Sequence, residues 1–204
     1  MKIKVTLPRG LWSILATLSV PAMLTLLPSA VAAQPSAERT LQDMREAFRR
    51  NDQRTLRDGL PRLQGHLMEP LAAYWELRAR LDSASPDEIR AFLRRWAGSY
   101  YEDRLRNDWL LQLGRRGDWS NFRAEQAQYR MNDDREVQCY ALLADPQGPR
   151  ASAAETLRPL WLGQKEADEG CASAARALLQ READRKSTRL NSSHTMQSRM
   201  PSSA

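Results

Sequence analysis

Two cysteines, two histidines and a scatter of carboxylates are the residues of this 204-residue chain best equipped for covalent, metal or acid–base chemistry. Neither Cys139 nor Cys171 has a histidine near it in sequence, so a thiolate–imidazole nucleophile has no local support. His66, the one histidine between positions 34 and 185, has no cysteine or histidine partner at metal-ligand spacing. His194 follows Ser193, but in a serine-rich stretch with nothing to hold the two groups in register. The carboxylates read as helix caps and surface charges, and Asp133–Asp134 most simply starts a helix. The sequence therefore assigns no catalytic residue, no cofactor-binding residue and no metal ligand, and implies no cofactor.

Aromatic and basic residues invite functional readings of a different kind. Trp75, Trp96, Trp109, Trp119 and Trp161 occupy helix-face positions where core packing is the default. Tyr100–Tyr101, near a helix junction, suit either the lining of a sugar-binding groove or an amphipathic surface. The pairs Arg94–Arg95 and Arg115–Arg116 suit solvated helix C-termini better than ligand clamps.

The elements carrying these residues are all expected to be helices. Ser36 is placed to cap a first helix bearing Leu41, Met44 and Phe48, and Asp52 to start a second bearing Leu56, Leu60 and Leu63, bent or ended near Pro61. A third runs from about Glu69 to Leu81 and buries Leu71, Trp75 and Leu77. Ser85-Pro86-Asp87-Glu88 is a capping box with proline at the first helical position. The stripe Ile89, Phe92, Leu93 and Trp96 follows, and Gly98 ends that helix. In RLRNDWLLQLGRRGDWSNF, 104–122, Leu105, Trp109 and Leu113 recur four apart. Gly117 then stops the helix and Asp118 caps the next, which buries Trp119 and Phe122. Further helices are expected near 134–144, 152–162 and 171–185. RRNDQRTL at 49–56 and RRGDWSNF at 115–122 repeat the same corner, which implies two helix pairs per repeat. The fold class is all-α, an irregular α-superhelix of stacked antiparallel helix pairs.

The ends differ from the body. Residues 1–33 form a signal peptide: Lys2, Lys4 and Arg9 precede an apolar run over 11–27 interrupted by Pro21. Small residues at Ala30 and Ala32, or Val31 and Ala33, then offer a cleavage site. An uncleaved anchor is the alternative, opposed by the short, proline-broken run. Residues 186–204, KSTRLNSSHTMQSRMPSSA, lack helical periodicity and resemble a translated adapter or vector junction; a native disordered linker is the alternative. Six of the 31 basic residues lie in these ends, while all 25 acidic residues lie within 34–185. The body is therefore electrically balanced, and its charge gives no support for a nucleic-acid partner. In an exported body an even pair of cysteines reads first as a Cys139–Cys171 disulfide.

The 104–122 run resembles the N-terminal superhelical domain of soluble lytic murein transglycosylases. The similarity extends over most of 37–185, and REVQCYALLA and LWLGQKEADEGCASAARALL look like cysteine-bearing helices of the same family. The resemblance implies a U-shaped, periplasmic helical scaffold whose parent enzyme binds peptidoglycan glycan strands. A separate lysozyme-like domain of that family cuts them to 1,6-anhydro products with one glutamate, in a Glu-Ser motif, and no metal. No Glu-Ser dipeptide occurs in this chain, and 34–185 has no room for that domain, so the expectation is a scaffold inactive by itself. The alternative is a stand-alone helical-repeat adaptor for a periplasmic protein. Neither reading involves nucleic acid, or a membrane once the signal is cleaved.

Overall fold

A computed structural model describes residues 34–145 and 152–197. The expected signal segment and the last residues of the expected tail lie outside them. Nine α-helices and one 3-10 turn account for nearly all of the order, with no strand among the described residues. The helices are α1 (Gln34–Arg49), α2 (Gln53–Gly59), α3 (Glu69–Ala79), α4 (Pro86–Arg95) and α5 (Tyr100–Arg116). They continue with α6 (Trp119–Gln126), α7 (Arg135–Ala144), α8 (Ala153–Leu162) and α9 (Glu169–Gln197). The 3-10 turn, Leu60–Leu63, follows α2, with Pro61 near its start.

The helices form two layers. α1, α3, α5, α7 and α9 pack each on the next odd-numbered helix, and α2, α6 and α8 each bridge two of them. The even helices start at 53, 86, 119 and 153. That is a step of about one helix pair each time, as a solenoid requires.

The two corners that repeat in sequence repeat the same backbone hydrogen bonds and the same aspartate cap. Asn51 and Gly117 both take the left-handed conformation, with φ of 56° and 67°. Asp52 N–H donates to Ala47 O at 2.8 Å, and Asp118 N–H to Leu113 O at 3.0 Å. These close the helix C-termini as Schellman turns. Each aspartate then accepts from the backbone three residues on, Thr55 N–H at 3.1 Å and Asn121 N–H at 3.2 Å. The same two residues satisfy the other carboxylate oxygen through their side chains, both at 2.7 Å. Leu56 and Phe122, four residues beyond the caps, are fully buried.

The capping box forms as expected, with Glu88 N–H donating to Ser85 Oγ and Ser85 N–H to Glu88 Oε2. Several local expectations need correction. Ser36 falls inside α1, which starts at Gln34, so it is not that helix's cap. α3 buries Ala72, Glu76 and Leu77, while Leu71 and Trp75 stay half-buried. The bundle meets α3 on the face one position round from its largest residues. Of the five tryptophans expected in the core, only Trp109 is buried; Trp75, Trp96 and Trp119 are half-buried and Trp161 is exposed. Helix α9 continues to Gln197, past position 186 where an unstructured tail was expected. Residues 179–189 are exposed along it, so backbone hydrogen bonding rather than burial carries the extension, through a stretch rich in the weak helix formers Ser, Thr and Asn.

Candidate functional site

Helix α5 is amphipathic only in part. Besides Leu105, Trp109 and Leu113 it buries Glu102, Asp103, Arg106, Asn107, Asp108 and Gln112. Burying that many polar groups is tolerable only if each has a partner. Asp103 accepts from the backbone N–H groups of Arg130 and Met131. Asn107 donates to Asp134, the N-cap of α7. Gln112 donates to Leu81 O and to Asp82. The helix thus braces the loops on either side of it.

Arg106, 3% exposed, sits between two glutamates. Its Nη2 donates to Glu102 at 2.7 Å and its Nη1 to Glu125. Arg130 and the Gly98 N–H also donate to Glu102, and Arg90 flanks Glu125 at 3.6 Å while lying over the Trp109 ring. Burial works to raise the Glu102 carboxyl, but Arg106, Gly98 and Arg130 outweigh it and hold it below the ordinary glutamate value. Two buried carboxylates near one another suggest glycosidase chemistry, yet an acid catalyst must keep its proton near neutrality. Glu102 is driven the other way.

A groove of about 450 Å³ opens between the 3-10 turn, α3 and α4, with Phe92, Trp96 and Leu77 on its apolar side. Its three carboxylates are all neutralised. Arg80 forks onto Glu76 at 2.6 and 3.2 Å and reaches Glu88 at 3.0 Å. Arg95 pairs with Glu69 and stacks over Trp96 at 4.9 Å. The Ser85 backbone N–H, then Arg80, keep Glu88 below its usual range. This groove can hold a ligand, and each of its carboxylates is engaged by an arginine.

Glu136 behaves differently. Burial and the nearby Asp168 raise its carboxyl. It lies against Tyr140 and Gly170, between α7 and α9, and does not line that groove.

Cys139 and Cys171, both fully buried, form a disulfide tying α7 to α9. Their sulfurs and the Asp168 carboxylate lie within 4.8 Å of one another. The sulfur–sulfur bond occupies both thiols, and Arg135 and Cys171 N–H hold Asp168. His66 is half-buried and accepts from Met68 N–H through Nδ1, a local turn contact. Asp134 caps α7, and Asp133 accepts from Tyr129. Arg94 and Arg115 are exposed, while Arg116 reaches Asp82 O. His194 lies in α9, where its side chain is outside the described set. The Arg106–Glu102–Glu125 cluster escaped the sequence reading because an i, i+4 Glu–Arg pair looks the same on a solvated face as in a core. Among the described residues no helix is long and apolar enough to cross a membrane.

Comparison with known protein families, with curated proteins and with solved structures finds no match to this chain.

Proposed function

We propose that 34–185 is the superhelical scaffold of a periplasmic lytic murein transglycosylase, with bond cleavage left to a separate lysozyme-like domain. The observation that carries this reading is the wording of 104–122. The run supplies a helix stripe, a left-handed glycine and an aspartate cap, and with them the polar residues that α5 uses to brace its neighbours. The electrostatics agree with a non-catalytic role. Glu102 and Glu88 sit below the ordinary glutamate value and are unprotonated at neutral pH, and a glycosidic acid has to be protonated there.

The test incubates the purified protein with isolated sacculi and separates the released muropeptides. No 1,6-anhydro product above a buffer control is expected. Product that disappears in Glu136→Gln would overturn the reading, because Glu136 is the described glutamate whose carboxyl is raised. The genomic reading frame beyond codon 185 supplies an independent check. An in-frame lysozyme-like domain with a Glu-Ser motif supports the scaffold, whereas a native stop favours a stand-alone adaptor.

A further inference from the structure

Five aromatic rings run in unbroken contact across three successive odd-numbered helices. Trp75 stacks on Phe48 at 6.0 Å, Phe48 meets Tyr74 at 6.3 Å, and Tyr74 meets Tyr101 at 6.1 Å. Tyr101 meets Tyr100 edge-on at 5.4 Å. Phe48 and Trp75 pack on the core of α1–α3, Tyr74 and Tyr101 on that of α3–α7. The row therefore lies on the seam between two cores. Rings that only filled that seam would be covered, as Trp109 and Phe122 are. Four of these five are instead half-buried, and Tyr100 is 62% exposed.

Beside the row opens a cleft of about 480 Å³, in the size range of small-ligand sites, with Phe48 and Tyr74 as its apolar wall. Its polar side is balanced in charge: Arg78 and Arg104 face Asp82 and Asp108. Asp108 is buried and accepts from the Tyr74 hydroxyl at 2.8 Å and pairs with Arg78 Nε at 3.1 Å, which fixes both side chains. Arg104 lies beside Tyr74 and Tyr100, so it links the cleft to the exposed end of the row. Asn51, held in a left-handed turn, adds an amide with both donor and acceptor.

We propose that this face binds a neutral oligosaccharide. Pyranose rings present apolar C–H faces that stack on aromatic rings, and hydroxyls that give and take hydrogen bonds from planar guanidinium, amide and carboxylate groups. A cleft with as many cations as anions has no preference for a charged ligand. The extent of the row across α1, α3 and α5 calls for several linked sugars, the geometry that the long surface of a helical array supports. The choice of an N-acetylated probe rests on the cell-wall reading above; the row and the cleft do not.

The experiment titrates the purified protein calorimetrically with the β-1,4-linked tetramer of N-acetylglucosamine and, separately, with cellotetraose, to about 10 mM. Saturable binding of either is expected. Tyr100→Ala should weaken it at least about tenfold, the loss of a stacked ring. Tyr100→Phe should keep most of it, and Arg78→Ala should also weaken it. Tyr100 and Arg78 are solvent-accessible, and unchanged circular dichroism melts verify folding. Binding of cellotetraose alone would support the site while counting against a cell-wall ligand. No binding of either sugar, or binding unchanged in both alanine variants, would overturn the proposal. The sacculus and reading-frame tests are independent of this outcome.

Discussion

Gly114 and Gly117 stand three residues apart at the end of α5 and are required for different reasons. A Cβ on Gly114 would stand inside contact distance of the buried Tyr140 ring. A Cβ on Gly117 would meet nothing closer than 3.9 Å, but that residue's φ is 67°. Gly117→Ala should cost about 1–2 kcal/mol, the left-handed penalty of an L-residue. Gly114→Ala should destabilise by about 1–3 kcal/mol through overpacking, in spite of alanine's better helix propensity. Urea unfolding midpoints of the two variants check both figures. Glu125→Ala leaves the buried Arg106 with one carboxylate instead of two, and losing one hydrogen bond between charged groups there should cost about 1.5–3 kcal/mol. Because Glu102 titrates lower when folded than when unfolded, its stabilisation is present at neutral pH. It should be lost as the pH falls below the ordinary glutamate value of 4.5 and through the folded one. Glu136 has the opposite sign: its raised carboxyl is a liability once ionised, so Glu136→Gln should raise the melting temperature at pH 7 and change it little at pH 3.

Among the elements, α7 and α9 show how much one covalent link can carry. The Cys139–Cys171 bond closes a loop of 32 residues around α8. Chain-entropy arithmetic gives about 3–4 kcal/mol for a loop of that length. Reduction should therefore lower the unfolding midpoint, with hydrogen exchange rising first in α8 and α9. Exchange in α1 to α5 should stay slow, because those helices have their own cores around Met44 and Trp109. Mass spectrometry of the non-reduced protein should find one linked peptide pair; two thiols alkylated without reduction would contradict the bridge. The exposed part of α9 beyond Leu179 should exchange fast in either redox state, since residues 179–189 are exposed to solvent.

Taken as a whole molecule, the array stacks its odd-numbered helices into one layer, so each helix pair needs its neighbours to cover it. Residues 34–185 should fold alone into a helical body, as far-ultraviolet circular dichroism would register. If export proceeds as the first 33 residues suggest, N-terminal sequencing of periplasmic protein should begin near Ala33 or Gln34. Recovery of intact Met1 from membranes would show that segment to be an anchor.

Much of this was legible in the residues themselves. Caps, a left-handed glycine and apolar residues four apart are local signals, readable from a few neighbouring side chains. They located Ser85, Gly117 and Asp118 and the repeated corner at Asn51–Asp52. The pairing of Cys139 with Cys171 was expected from there being only two cysteines in a body read as exported. Tertiary structure alone decided which polar residues are interior. Arg106, Asn107 and Gln112 lie on an α5 face that would be solvated in isolation. Only the approach of α6, of the turn after α3 and of the loop before α7 buries them, by bringing Glu125, Leu81 and Asp134 into reach. The aromatic row arises the same way. Phe48, Tyr74 and Tyr101 are 26 and 27 positions apart along the chain, and no local pattern joins them. They meet because α1, α3 and α5 share a layer, and burial there is fixed by which surfaces the neighbouring helices leave uncovered.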